Sequence, residues 1–348
     1  MCPKAAFAFL LLVLTSFFGF GQTKQSKTTK ELINSLNDGP YVFIEGDQLI
    51  EKNIVNGKVI SKTLPTDTYP KKFERAKSRY KKVKRIAALS DIHGQHDLAV
   101  EILTNHQIID AQQNWTYGEG HLIIVGDIFD RGPKVNETLW LLFKLEKQAE
   151  KASGKVHVLL GNHEYLVFQH DLRYIHKKYR IASALLKTGY VDLYGKNTVM
   201  GRWLRSKPTI AKINDITFVH GGFSKEFLAS GYNRKDINRV MGESIDVAPA
   251  QLDSTGISYR YFGPASPVWY RGYFYDDLPE EEISDILSAT FSKRIVVGHC
   301  SNETVVELYD GKIYGVDSSI KLGAYGELLL IEGKDYYRGT KSGERVRF

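Results

Sequence analysis

Cysteine is nearly absent from the chain: among 348 residues there are two, Cys2 and Cys300. Cys2 falls in a stretch that reads as a removable leader. A single thiol is then left, and no intramolecular disulfide can brace the fold. Apolar runs long enough to cross a bilayer are also missing. The longest predominantly apolar run, Ala5 to Phe20, has 16 residues and no charge, short of the roughly 20 that a spanning helix needs. Lys4 precedes this run, and Gly19 and Gly21 supply the small residues that a signal peptidase requires, so residues 1–21 read as a signal cut before Gln22. An uncleaved N-terminal anchor is the other reading. Cys2 lies before the apolar run, which does not suit a lipid-attachment site. The expectation is an exported protein, periplasmic or secreted by a bacterium, with no stable membrane insertion after cleavage.

Composition excludes further classes. With 43% hydrophobic and 25% charged residues the chain has the balance of an ordinary globular protein, not of a disordered chain or a coiled coil. Its length allows one large α/β domain or two smaller ones. The formal charge of +7 falls to +6 without Lys4.

Residues 22–85 read as an N-terminal extension and 86–348 as a catalytic domain. From Gln22 to about Asn37 the chain is rich in Lys, Thr, Ser and Gln, as in a tether or a frayed helix. The runs VFIEGDQLIEKNIV and KVISKTL then flank Asn56-Gly57, a strong two-residue hairpin signal. Lys71 to Arg85 carries nine basic residues and one acid. A patch for nucleic acid or an anionic surface is one reading of it; a solvated helix face or linker is the blander one, and no nucleic-acid partner is expected.

Beyond Arg85 short apolar runs recur, and each ends in polar residues of an unusual kind. RIAALS leads into Asp91-Ile92-His93-Gly94, HLIIV into GDIFDRG, VHVLL into Gly161-Asn162-His163-Glu164, ITFV into His220-Gly221-Gly222, and RIVV into Gly298-His299-Cys300. Such runs between helical segments, for example Val135 to Ala152, fit a doubly covered α/β sheet whose ligands sit at strand carboxyl ends. Glu164 to Leu186 reads as helix and Tyr261 to Pro267 as loop. The C-terminal runs VVELYDGKIYGVDSS and GELLLIEG read as antiparallel strands, with Asp310-Gly311 as a turn.

The polar residues at these ends form a donor set of oxygen and imidazole without thiolate: Asp91, His93, Asp127, Asn162, His220 and His299. Carboxylate with imidazole suits Mn, Fe or Zn, where oxygen alone would suit Mg or Ca. Two divalent ions could share Asp127, and a hydroxide between them would be a nucleophile at neutral pH. Each element alone is weak, since a lone His at a strand end is commonly a core or turn residue. Five in order, each with a glycine beside the ligand, carry the weight.

SDIHG, GDIFDRG, GNHE, the HGG after a strand and the late GH together resemble the signature of calcineurin-like metallophosphoesterases, over Leu89 to about Cys300. That resemblance implies two mixed β-sheets sandwiched between helices, here with a small N-terminal β-hairpin appendage. The Arg of GDIFDRG and the Glu of GNHE resemble the phosphoprotein phosphatase branch. Ser90 departs from the Gly usual in the first block. SPVWYRGY, Ser266 to Tyr273, and DLRY, Asp171 to Tyr174, are similar to the Shewanella-like phosphatases of bacteria. Carried over, the resemblance implies that Asp91, His93 and His299 hold one metal, that Asp127 bridges, and that Asn162 and His220 hold the other. His163 would protonate the leaving oxygen with Asp130 orienting it, while Arg131 and Arg271 would clamp phosphate oxygens. Asp130 as a helix cap near Pro133, and Arg271 as a surface ion-pair residue, are the blander alternatives.

The activity expected is a secreted dinuclear-metal phosphomonoesterase, a protein phosphatase acting on phosphotyrosine or phosphoserine/threonine by attack of a metal-bridging hydroxide. The substrate is a phosphorylated protein, peptide or small phosphate ester. The alternatives are a broad-specificity or nucleotide phosphatase, and a catalytically inactive binding module. Tyr259 to Tyr275 holds eight aromatics around Arg271, which suits either stacking on an aryl phosphate or packing of a lid.

Overall fold

A computed structural model of the chain describes residues 29–348; the expected signal at 1–21 lies outside them. Two six-stranded sheets form the centre. In the first, Arg85–Leu89, His121–Ile124 and Lys155–Val158 lie parallel and adjacent. On the other side of Arg85–Leu89, the strands Glu327–Glu332, Asp335–Thr340 and Arg345–Arg347 follow as antiparallel neighbours. In the second, Arg294–Val297 lies parallel to both Ile216–Val219 and Ile313–Gly315. Val306–Leu308 forms one edge; Ile210–Ile213 leads to Arg79–Tyr80 at the other.

Alternation along these strands explains how the layers pack. Ile86, Ala88, Ile123, Val125, Phe218, Val296 and Leu329 point into one apolar cluster between the sheets. Their chain neighbours Ala87, Leu89, Leu122, Ile124, Val219, Ile295 and Val297 point the other way, into a cluster that includes the helices. A strand buried on both faces must be apolar throughout, which is why these runs carry almost no polar residue. The fold is thus mixed α/β, with two sheets covered by helices such as Val135–Lys151 and Glu280–Ala289.

The hairpin signal at Asn56-Gly57 closes Gln48–Val55 on Lys58–Leu64, both turn residues having positive φ (47° and 73°), as a type I′ turn requires. Asp38–Glu45 adds a third antiparallel strand. This small sheet is docked on the body. Tyr41, Val42, Leu49 and Ile54 join the main core, Asp38 pairs with Lys178 at 2.9 Å, and the Trp140 indole donates to the Pro40 carbonyl at 2.8 Å.

Two local expectations give way to tertiary contacts. The span 164–186 is not one helix: Asn162–Phe168 ends, and a new helix begins at Lys177 with His176 as its cap. The basic run 71–85 contains no helix. Its Arg79–Tyr80 pairs with Lys212 and Ile213, and the Val83 N–H donates to Asn214, so sheet pairing prevails over a helix-permitting composition.

Candidate metal and phosphate site

The apolar strands end on the same side of both sheets, and the polar residues that follow them converge there. Asp91, Asp127 and Asn162 follow three adjacent parallel strands of the first sheet; His220 and His299 follow two adjacent parallel strands of the second. All are buried. The turns that bring them in are tight: Asp91, His93, Asp127, Asp130, Arg131 and His299 all have φ between 45° and 72°, a region that non-glycine residues rarely occupy. Strain concentrated in this way marks a functional centre. Gly126, at φ 91°, shows how close the approach is, since a Cβ there would lie 2.8 Å from His220 Nδ1 and 2.7 Å from the Gly161 Cα.

Backbone and side-chain hydrogen bonds fix which atoms face inward. His93 Nδ1–H donates to the Phe129 carbonyl at 2.6 Å and His220 Nδ1–H to the Val125 carbonyl at 2.7 Å, so each ring turns its Nε2 toward the centre. Asp91 Oδ1 accepts from the Ser90 hydroxyl at 2.6 Å and the His299 N–H at 3.0 Å, while Oδ2 lies 3.7 Å from His93 Nε2. Ser90, where the family commonly has glycine, thereby orients the Asp91 carboxylate. Asp127 Oδ1 accepts from the His163 N–H at 3.0 Å, while its Oδ2 lies 3.2 Å from His220 Nε2 and 3.5 Å from His93 Nε2.

This donor set fits a positive charge. His220 Nε2 faces Asn162 Oδ1 at 2.8 Å as well as Asp127 Oδ2. With Nδ1 already a donor, that meeting of acceptors requires a second proton or a metal. His299 Nε2 is buried without a partner. Asp91 is pushed up to about 8 by burial, with the Asp317 and Asp127 carboxylates adding to it. Among the described residues, two groups have candidate ligand atoms within 4.8 Å of one another: His93, Asp127 and His163; and Asp127, His220 and His299. Asp127 is common to both. His299 thus groups with His220 and Asp127, while its backbone N–H reaches Asp91; the carried-over pairing sets it with Asp91 and His93.

His163 and the two arginines stand at the edge of this cluster. The His163 ring donates from Nδ1 to Asp130 Oδ2 at 2.5 Å. Burial works against charging that ring, but Asp127 and Asp130 outweigh it and raise its pKa. Asp130 is fully buried and bonded to His163, and the helix that begins at Val135 has no side-chain cap. Arg131 and Arg271 are exposed. Arg131 lies over the Tyr174 ring at 5.7 Å, and Tyr174 meets the His163 ring edge-on at 5.2 Å. Arg271 lies over Trp269 at 5.6 Å, and Trp269 meets His299 edge-on at 5.5 Å. Each arginine is thus paired with an aromatic ring that also touches a site histidine.

Family comparison agrees with this geometry: the profile described as Calcineurin-like phosphoesterase matches residues 84–317. The chain belongs to that family. Among solved structures it is similar to a cold-active protein-tyrosine phosphatase of a psychrophilic Shewanella species, at 38% identity and a TM-score of 0.86, over 90% of this chain and 99% of that one. Shewanella-like protein phosphatase 1 of Plasmodium berghei is 29% identical over 69% of this chain and 67% of its own length. Shewanella-like protein phosphatase 2 of Arabidopsis thaliana is 26% identical over 46% and 52%. The protein is a phosphatase of the calcineurin-like family, and membership implies divalent metals.

Several residues that shape this phosphatase site carried no role in the sequence. Glu164 served only to separate branches, yet it is fully buried and accepts from the backbone N–H groups of Asp127 (2.9 Å), Ile128 (2.7 Å), Phe129 (3.2 Å) and Gly161 (2.6 Å). Tyr174 had no role in DLRY, and Trp269 was one of eight aromatics suited to stacking on an aryl phosphate or to packing of a lid. The signal for Glu164 was its place next to His163, and for Trp269 the density of aromatics around Arg271; for Tyr174 there was none beyond the motif. His96, His106, His121, His157, His170 and His176, which match no motif position, are in none of the groups able to hold a metal among the described residues.

Proposed function

We propose that the protein is an exported dinuclear-metal protein phosphatase that hydrolyses phosphotyrosine in proteins or peptides in preference to alkyl phosphate esters. The observation that carries this is the pairing of each rim arginine with an aromatic ring, Arg131 with Tyr174 and Arg271 with Trp269. Guanidinium groups match the edges of a phosphoryl group, and rings beside them suit the face of a phenol. The 38% identical relative named a protein-tyrosine phosphatase supports the same preference.

Asp91, His93 and Asp127 would hold one ion; Asp127, Asn162, His220 and His299 would hold the other. When bound, such ions acidify water and neutralise charge developing on the phosphoryl group. The rest falls to the chain. Arg131 and Arg271 orient the phosphoryl oxygens. His163, with its Nδ1–H held by Asp130, presents Nε2–H to the departing oxygen as a general acid. Glu164 holds the loop that carries Asp127, so the carboxylate stays in place as charge shifts. Mn is the first ion to try, and Fe and Zn suit the same donors.

The test is hydrolysis of a phosphotyrosine peptide, a phosphoserine peptide and a nucleoside monophosphate by the mature chain, with Mn²⁺ and with chelator, beside Asp127→Asn. Chelator-sensitive activity that is lost in the variant and highest on the phosphotyrosine peptide is expected. Equal rates on all esters would point to a broad scavenging phosphatase. Fractionation of a bacterium expressing the full chain tests export, which fails if the protein stays cytoplasmic with residues 1–21 attached.

A further inference from the structure

Beside the second sheet's edge, the basic segment forms one wall of a cavity of about 320 Å³. Residues 75–79 face the turn 205–208 and the helix Arg234–Glu243 across it. Eight of its fourteen lining residues are Lys or Arg, and none is acidic. Half of these cations are paired from outside the cavity: Arg75 and Arg239 with Glu243, Arg205 with Asp246, and Lys207 with Glu146. Lys77, Arg79, Arg234 and Lys235 have no acid within ion-pair distance among the described residues.

Like charges gathered without counter-charge repel, and the effect is visible here. The half-buried Arg234 is lowered by burial and by the Arg79 guanidinium beside it. Lys212, next to both, is lowered by burial and by the same two arginines. Arg234 is held in place by a hydrogen bond from its Nε to the Ser78 hydroxyl at 3.1 Å, which leaves its terminal nitrogens free. The helix N–H groups of Lys235 and Asp236 are already taken by the Asn233 side chain. Recognition therefore falls to side chains, whose planar guanidinium forks suit a tetrahedral dianion.

We propose that this cavity is a second anion site, taking a phosphate-type dianion between Arg79 and Arg234. It shares no residue with the metal and phosphate site. The two adjoin through the sheet: the Pro208 carbonyl in the cavity wall accepts from the Leu160 N–H, two residues before Asn162. The same chemistry is offered by free orthophosphate, the product of the established activity, and by the phosphoryl group of an organic ester.

Calorimetric titration of the mature Asp127→Asn chain in chelator, which removes the metal site's affinity for phosphate, separates the sites. Orthophosphate and glycerol phosphate are the two probes. Saturable uptake, weakened about tenfold or more in Arg79→Gln/Arg234→Gln, is expected from the loss of charge-assisted hydrogen bonds. Tighter binding of orthophosphate identifies the free product as the ligand; tighter binding of glycerol phosphate identifies an ester. Should the double variant unfold, Arg79→Gln alone, at an exposed position, carries the same comparison. The proposal is overturned by absence of saturable binding of either probe, by equal binding in the Gln variants, or by displacement with chloride as effective as with sulfate at matched ionic strength. Because metal is absent throughout, the outcome is independent of the substrate preference proposed above.

Discussion

Asp130 and His163 are joined Oδ2 to Nδ1 at 2.5 Å, with the Tyr174 ring edge-on to the imidazole. The pair sets the imidazole so that its remaining nitrogen faces the cluster, 3.9 Å from Asp127 Oδ2. A general acid matters most when the leaving group is a poor one. His163→Ala should slow hydrolysis of a phosphoserine peptide by about 10²–10⁴, and that of a phosphotyrosine peptide by much less, because a phenol with pKa about 10 departs more readily than an alkoxide. Equal losses on both peptides would rule His163 out as the acid.

Metal should stabilise the fold as well as activate it, since an ion that binds only the folded chain shifts unfolding by mass action. Thermal unfolding of the mature chain is expected to move up by several degrees with Mn²⁺ and back with chelator. Asp127→Asn, which removes the carboxylate common to both groups, should show neither shift. Identical midpoints with and without ion in the parent chain would contradict the dinuclear reading.

Glu164 is the buried anchor of the site. Glu164→Ala leaves the N–H groups of Asp127, Ile128, Phe129 and Gly161 without an acceptor, at a cost of about 3 kcal/mol or more. Glu164→Asp keeps the charge on a shorter stem and should lie between. Denaturant midpoints give the order, and an alanine variant as stable as the parent would show that water replaces the carboxylate.

Arg271 is exposed and Trp269 beneath it only partly buried, so changes there should act on substrate and hardly on stability. Arg271→Ala should raise KM on every ester, with unfolding shifted by less than about 0.5 kcal/mol. Trp269→Leu should raise KM for aryl phosphates about two- to tenfold more than for alkyl phosphates, the worth of one ring contact. Steady-state kinetics on matched esters decides it; a loss independent of the leaving group would assign Trp269 to placing His299 alone.

Away from the site, His121 and His157 are hydrogen-bonded to each other at 2.9 Å with Tyr80 edge-on to both. Burial draws His121 down to about 4, with Lys155 adding to it. Burial also holds His157 well below its ordinary value, helped by His121, Lys155 and Lys207. The folded chain thus keeps both rings neutral, whereas the unfolded chain takes up protons near pH 6.5. Their contribution is fully present above about 6.5 and lost as pH falls toward 4, with a slope of up to about 1.4 kcal/mol per pH unit for each ring. Urea unfolding at pH 5 and pH 7 should show a smaller difference in His121→Gln/His157→Gln than in the parent. An unchanged difference would place the acid sensitivity elsewhere.

The convergence of the candidate metal-holding residues was legible because each sits just beyond an apolar run, where a glycine such as Gly126 or Gly298 announces a close approach. The two sheets were legible only through the family likeness, since RIAAL and RIVV look alike and nothing local says which sheet a run joins. Tyr174 and Trp269 were hidden for a different reason: a ring's partner lies far off in sequence, and the motif holding it does not say which histidine it will meet. The basic run misled in another way. Its composition permits helix, but Arg79–Tyr80 pairs with Lys212 and Ile213 at the sheet edge, partners far off in sequence that no local pattern announces.

The first sheet is stitched from distant pieces. Arg85–Leu89, whose end carries Asp91, has Glu327–Glu332 as one of its two neighbours, and the ligands from the second sheet are made in the interval. A ribosome must therefore travel almost the whole message before the strand that delivers the first ligand is enclosed. Partial products hold those residues without the frame that aims them, so hydrolysis is expected only of chains that include Glu327–Glu332.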